Sequence, residues 1–185
     1  RITVVRRKRG NEQLLAFIKE KHAGESGIVY TSSRAKAETI CAFLAAEGIN
    51  CLCYHAGLSR EQRELSQTRF LHEKDAVIVA TIAFGMGIDK ADVRFVAHTS
   101  LPKSIENYVQ EIGRAGRDGQ KAEAWLCFSG GDAFFQKKRI AESDAEDWYK
   151  NISEVKQDVM QGYAESTECR RNLLLAYFGE ETKEA

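Results

Sequence analysis

Six short runs of apolar residues recur along the chain, at Ile2–Val5, Gly27–Thr31, Cys51–Tyr54, Val77–Thr81, Phe95–His98 and Ala124–Phe128, and each predicts a strand. Stretches with helical spacing lie between them, at Glu12–Lys21, Ala35–Glu47, Arg60–Phe70 and Ile105–Arg114. Ser59 followed by Gln62 forms a capping box for the third helix, and Gly48 stands where the second would stop. Val77-Ile78-Val79-Ala80 is apolar at every position, as a strand covered on both faces requires. Strands alternating with helices in this way predict an α/β fold, a parallel sheet with helices on both faces. Beyond Gly130 the strand signals cease, and Asp132–Ala141, Trp148–Gln161 and Ser166–Phe178 read as helices. The pattern therefore divides the chain near Gly130–Asp132 into an α/β unit, 1–130, and a helical extension, 131–185. Pro102 marks a loop after the fifth strand.

Composition narrows the picture. A length of 185 residues fits one domain with an appendage, and a hydrophobic fraction of 43% excludes a disordered chain. No apolar run approaches the roughly 18 residues that span a bilayer, and Arg1–Gly10 has no signal-peptide block. The expectation is a soluble protein of the cytoplasm, at the nucleoid if bacterial, with no membrane partner. The five cysteines include no CxxC pair, and Cys51 and Cys53 share one face of a strand, so a reducing compartment is the simplest reading. The net charge of zero hides an asymmetry: residues 1–140 hold 22 basic and 16 acidic side chains, residues 141–185 hold 5 and 11. The first part suits a polyanion and the tail does not.

Four constellations carry candidate chemistry. In Gln110-Glu111-Ile112-Gly113-Arg114-Ala115-Gly116-Arg117-Asp118-Gly119, helical spacing would put Gln110, Gly113, Arg114 and Arg117 on one face. Two guanidiniums one turn apart repel unless an anion sits between them, and phosphate suits their planar forks. A solvated helix end near Gly119 is the plainer alternative. The segment Ala80–Lys90 ends an apolar strand, where open α/β sheets bind ligands. Gly85 and Gly87 free its backbone, and Asp89 could accept hydrogen bonds from sugar hydroxyls. A dinucleotide fingerprint would need glycine at position 90, which is Lys90, so that reading fails, and a tight turn stays open. Tyr30-Thr31-Ser32-Ser33-Arg34 leads from strand to helix, where hydroxyls and free N–H groups hold phosphate or simply cap. Tyr54-His55-Ala56-Gly57-Leu58-Ser59 repeats that arrangement, although a lone histidine is weak evidence of a ligand. No GxxxxGK[ST] loop occurs to cradle β- and γ-phosphates. Arginines suited to phosphate without such a cradle look like half of a site.

In this order the four segments resemble the later motifs of superfamily 2 helicases, and most closely those of the RecQ family of ATP-dependent DNA helicases. Cys169–Glu180 (CRRNLLLAYFGE) extends the resemblance past the motor domain. It implies a second RecA-like domain followed by the start of a zinc-binding region, cut from a DNA helicase of 3′-to-5′ type that serves DNA repair and recombination. The partner would be the first RecA-like domain of the same polypeptide, which holds ATP and Mg²⁺. By resemblance Arg117 is the arginine finger, Arg114 its companion on the γ-phosphate, and Gly87 and Asp89 contact ribose and phosphate. Gln110 couples the cleft to the nucleotide, and Ser32, Arg34, His55, Gly57 and Thr81 line the track of single-stranded or forked DNA. Cys169 matches the first of four zinc-binding cysteines, on a helix. The others would follow Glu180, and none occurs by Ala185, so either the chain stops before them or this member lacks the site. Zn²⁺ is therefore not expected here, and Cys169 is expected to be a buried thiol. Alone, the chain is expected neither to hydrolyse ATP nor to unwind duplex. A non-catalytic DNA-binding or protein-docking module is the rival reading. Half of an RNA helicase or remodeller is another, and Cys169–Glu180 speaks against it.

Overall fold

The computed structural model describes residues 1–81, 84 and 89–180. Six parallel strands form one sheet: β1 (Ile2–Arg6), β2 (Gly27–Tyr30), β3 (Cys51–Tyr54), β4 (Val77–Ala80), β5 (Phe95–His98) and β6 (Glu123–Phe128), in the spatial order β1-β6-β5-β2-β4-β3. The helices among the described residues are α1 (Gly10–Lys21), α2 (Arg34–Ala46), α3 (Arg60–His72), α4 (Ile105–Ile112), α5 (Gly130–Ala141), α6 (Asp147–Glu165) and α7 (Arg170–Tyr177). Strands β2 and β4 are buried at every residue, as their unbroken apolar runs require.

Alternation along the strands feeds two cores. Val29, Val77, Val79, Phe95 and Ala97 pack with Leu14, Phe17 and Ile18 of α1 and Ile40 and Leu44 of α2. Ile28, Tyr30, Ile78, Ala80 and Val96 face the other way, onto Phe70 and Phe84. The period of two residues is what puts each set on its own face. Gly27 is set by packing: a Cβ there would lie 2.0 Å from the Phe95 ring. A third cluster joins Tyr108, Leu126 and Phe128 to Met160, Tyr163 and Leu174, so the last helices pack on the α4–β6 side of the sheet. Arg7, just past β1, ties the junction further. It donates to the Thr99 carbonyl at 3.1 Å and pairs with Asp132, whose carboxylate accepts the Ser129 N–H at 3.0 Å.

Two expectations are corrected. Helix α4 ends at Ile112 with Gly113 as its C-cap, so Arg114 and Arg117 do not share a helical face with Gln110. The chain turns instead at Gly116, whose φ is +69° and whose N–H donates to the Val93 carbonyl at 2.9 Å. Only glycine takes that backbone without strain, and a Cβ would stand 2.9 Å from the Gln120 carbonyl. The helix expected from Ser166 begins at Arg170, which leaves Cys169 as its N-cap, exposed and not buried.

Candidate functional site

Pairing levels the ends of four strands, with Tyr30 opposite both Ala80 and His98, and Tyr54 opposite Ala80. The chain crosses over β2 on its way from β4 to β5, so β4, β2 and β5 lie at the point where the strand order reverses. Loops diverge there and leave a crevice outside the carboxyl ends. A groove of about 1000 Å³ occupies it.

The groove floor is polar and internally bonded. His98 Nε2 lies 2.7 Å from Glu111 Oε2, with the two side chains 2% and 10% exposed. Tyr30 stacks on His98 with ring centroids 5.3 Å apart, and Tyr108 meets the same ring edge-on at 5.1 Å. Tyr30 Oη donates to the Phe84 carbonyl at 3.2 Å. Burial pushes the Tyr30 phenol well above its ordinary range, and the Arg114 guanidinium partly opposes that shift. Arg114 therefore stands against the back of the floor.

The predicted track residues meet at this groove in part. Ser32, Arg34 and Thr81 line it, together with Thr31 and Ser33. Ser33 caps α2 by accepting the Lys36 N–H at 3.3 Å, and Thr31 Oγ1 donates to the Ser33 carbonyl, which fixes the turn. His55 does not line the groove: it is 2% exposed, its Nδ1 accepts the Gly57 N–H at 3.1 Å and its Nε2 lies 3.0 Å from Glu38. It shapes the turn that presents Gly57, over which the Arg34 side chain packs.

The predicted nucleotide residues form a separate corner. Arg117 Nη1 bonds Asp89 Oδ1 at 2.9 Å, with the two side chains 40% and 85% exposed. Two motifs 28 residues apart in sequence thus meet, with Gly116 beside Arg117 bonded to the Val93 carbonyl just before β5. Gln110 is exposed on α4. Gly87 and Gly85 lie outside the described residues. Lys90, beside Asp89, is buried, donating to the Glu73 carbonyl at 3.1 Å and pairing with Asp92 at 3.0 Å, so it acts as an anchor of the loop.

Sequence reasoning missed the far wall of the groove, which includes Lys103, Ser104 and Asn107 after β5, Gln136 and Arg139 of α5, and Tyr149, Ser153 and Lys156 of α6. Arg139 Nη1 donates to the Ser32 carbonyl at 3.1 Å, across the groove. Lys156 pairs with Glu106 at 2.9 Å, and hydrogen bonds from Ser104 and Lys156 hold that carboxyl down at about 2. No local signal marks these residues in the sequence, because charges on a helix usually face solvent.

Cys169 suits a metal ligand. The backbone N–H groups of Asn172 and Arg171, and then the arginine charges, lower its thiol below the usual cysteine range. A structural zinc site takes four ligands, and no group of three or more His, Cys, Asp or Glu side chains able to hold a metal stands among the described residues. The residues present fit one ligand of such a site.

The family described as helicase conserved C-terminal domain matches residues 10–119, and the RecQ zinc-binding family matches residues 130–185. The chain is similar to the ATP-dependent DNA helicase RecQ of Pasteurella multocida, at 46% identity over 97% of this chain and 28% of that protein. It is also similar to the RecQ-like DNA helicase BLM of Xenopus laevis, at 46% identity over 89% of this chain and 12% of that protein. The chain thus spans less than a third of the length of these relatives. Among solved structures, the E. coli DEAD-box protein SrmB, bound to regulator of ribonuclease activity A, aligns with a TM-score of 0.62 at 26% identity, covering 78% of this chain and 87% of that one.

Proposed function

The chain belongs to the helicase conserved C-terminal domain family, and from that premise we propose that it is the second motor domain of an ATP-driven, RecQ-like DNA helicase. In this reading residues 1–130 are the RecA-like domain and residues 131–185 begin a zinc-binding extension. ATP and Mg²⁺ would be held by a first RecA-like domain carrying the phosphate loop, and the corner at Asp89 and Arg117 would close on that nucleotide. Arg117 is the arginine finger, Arg114 supports it, Asp89 and Gly87 serve the ribose and phosphate side, and Gln110 couples the two. Single-stranded or forked DNA would run through the groove along Ser32, Arg34 and Thr81, with His55 acting through Gly57. Cys169 would supply the first zinc ligand, and bound Zn²⁺ would fix the fold of the extension.

The observation that carries this reading is the meeting of Arg117 and Asp89 at 2.9 Å. An exposed pair of this kind is worth about 0–1 kcal/mol. A triphosphate can therefore take Arg117 from Asp89 at little cost and leave the carboxylate to accept from sugar hydroxyls. Charge that develops on the phosphoryl oxygens would then be stabilised by a guanidinium brought in by domain closure. No helix among the described residues is long and apolar enough to cross a membrane. We place the protein in the cytoplasm, at the nucleoid if bacterial.

In a polypeptide joining this domain to a phosphate-loop domain, Arg117→Ala should lower kcat for ATP hydrolysis by about 10³-fold or more. Its Kd for single-stranded DNA should change less than about threefold, since phosphates along the track are held elsewhere. An unchanged kcat in steady-state ATPase assays removes Arg117 from this role.

A further inference from the structure

The groove has two walls, and the track described above uses only the one at the sheet edge. The other is formed by Lys103, Arg139, Lys156 and Tyr149, all exposed. We propose that this second wall is a nucleic-acid subsite: Lys103, Arg139 and Lys156 hold backbone phosphates of single-stranded DNA, and Tyr149 is a platform on which a base stacks. The inference rests on the proposed DNA track and extends it from the sheet onto α5 and α6.

Charge argues for it first. Residues 141–185 carry 5 basic and 11 acidic side chains, yet Lys156 of that tail faces the groove and none of its acids does. Arg34, Lys103, Arg139 and Lys156 line the groove against one carboxylate, Glu111, which His98 already engages at 2.7 Å. Acidic side chains of the tail are thus segregated away from this surface, as a polyanion site requires.

The cations are also held in place with donors to spare. Arg139 is fixed by one bond to the Ser32 carbonyl at 3.1 Å, and Lys156 by Glu106 at 2.9 Å from behind the wall. A guanidinium has five N–H donors and an ammonium three, so each retains donors for phosphate oxygens. Because Arg139 bridges to Ser32, a strand following the first wall is carried onto the second. Tyr149 is 54% exposed beside these cations. Exposed aromatics interleaved with basic side chains in a groove are the composition that binds single strands without reading sequence. Hydroxyls of Ser32 and Ser153 line the same space and can donate to phosphate.

The test measures binding of a fluorescein-labelled oligothymidylate to this chain by anisotropy across a salt series. Four variants are compared, each changing exposed side chains: Arg34→Ala on the first wall, the pair Arg139→Gln with Lys156→Gln, Tyr149→Ala and Tyr149→Phe. Thermal melts should match the parent chain. The glutamine pair should weaken binding about tenfold and reduce the slope of log affinity against log salt by about 1.4, at roughly 0.7 per phosphate contact on a single strand. Tyr149→Ala should weaken binding at least about fivefold with no change in that slope, and Tyr149→Phe should restore it. If Arg34→Ala loses affinity and the second-wall variants bind like the parent, the second wall is overturned and the track stands. If the second-wall variants lose affinity and Arg34→Ala does not, the subsite stands and the track along the first wall falls. If no variant has an effect, or the parent chain does not bind at low salt, both fall.

Discussion

The groove floor lies at the carboxyl ends of the strands, whereas the residues flanking the Asp89–Arg117 corner bond to segments that precede β4 and β5, and the two sites are built in opposite ways. On the floor, Thr31, His98 and Glu111 are all buried and bonded to neighbouring groups. At the corner an arginine 40% exposed, beside the turn at Gly116, meets an aspartate 85% exposed. A buried network holds its geometry whether or not a ligand is present. An exposed ion pair does not, because water and salt compete with it. The comparison teaches a division of labour: the groove is formed within this chain, and in the proposed reading the corner would take its working geometry from the domain that closes on it.

The most severe way to break that contrast is Glu111→Ala, which leaves His98 Nε2 without its partner inside the floor. It should cost about 2–3 kcal/mol of stability by urea denaturation. A loss below about 0.5 kcal/mol would mean the floor is no more rigid than the corner. Next is Gly116→Ala, expected to cost about 1–3 kcal/mol, since alanine resists a φ of +69° and its Cβ meets the Gln120 carbonyl. That result would locate the shape of the corner in its backbone. Smaller still is an alkaline effect. Burial pushes Tyr163 up to about 12 and Cys127 up to about 11. The fold prefers the neutral form of both groups. Their contribution is therefore complete below the ordinary values of 10 and 9, and it falls as pH rises through about 11 and 12. The urea midpoint should decline over that window, and a flat profile would refute burial as the cause. Least of all, Asp89→Ala should change stability by less than about 0.5 kcal/mol, and a larger loss would overturn the view of the corner as loosely held.

The sequence made the sheet legible. Val77–Ala80 has no polar position, so it has no solvent face, and the alternation in Gly27–Tyr30 assigns Ile28 and Val29 to different cores. Helix periodicity also found α1, α2 and α3, because their buried faces repeat at helical spacing. It failed at Gly113–Arg117, where apolar period and helix propensity disagree. A glycine costs a helix only about 1 kcal/mol, so the pattern of residues does not say whether Gly113 is crossed or caps. The bond from Gly116 to Val93 decides it, and that partner lies 23 residues away. Arg139 and Ser32, 107 residues apart, show the same limit, since a wall made of two distant segments has no local signature. Cys169 was legible as a candidate ligand but not as an exposed cap, because α7 starts at Arg170 and not at the expected Ser166.

Strand β1 has one neighbour, β6, and pairs Ile2 with Ala124 across nearly the whole α/β unit. β1 therefore has no partner in this sheet until β6 exists. Every pairing of β2 likewise awaits β4 or β5, so the sheet contains no hairpin that could form early. Loop-closure entropy is met before any of these contacts forms. Folding in milliseconds to seconds follows, slower than for a helical bundle of similar size, and a nascent chain ending before Phe128 would expose the apolar edge of β5.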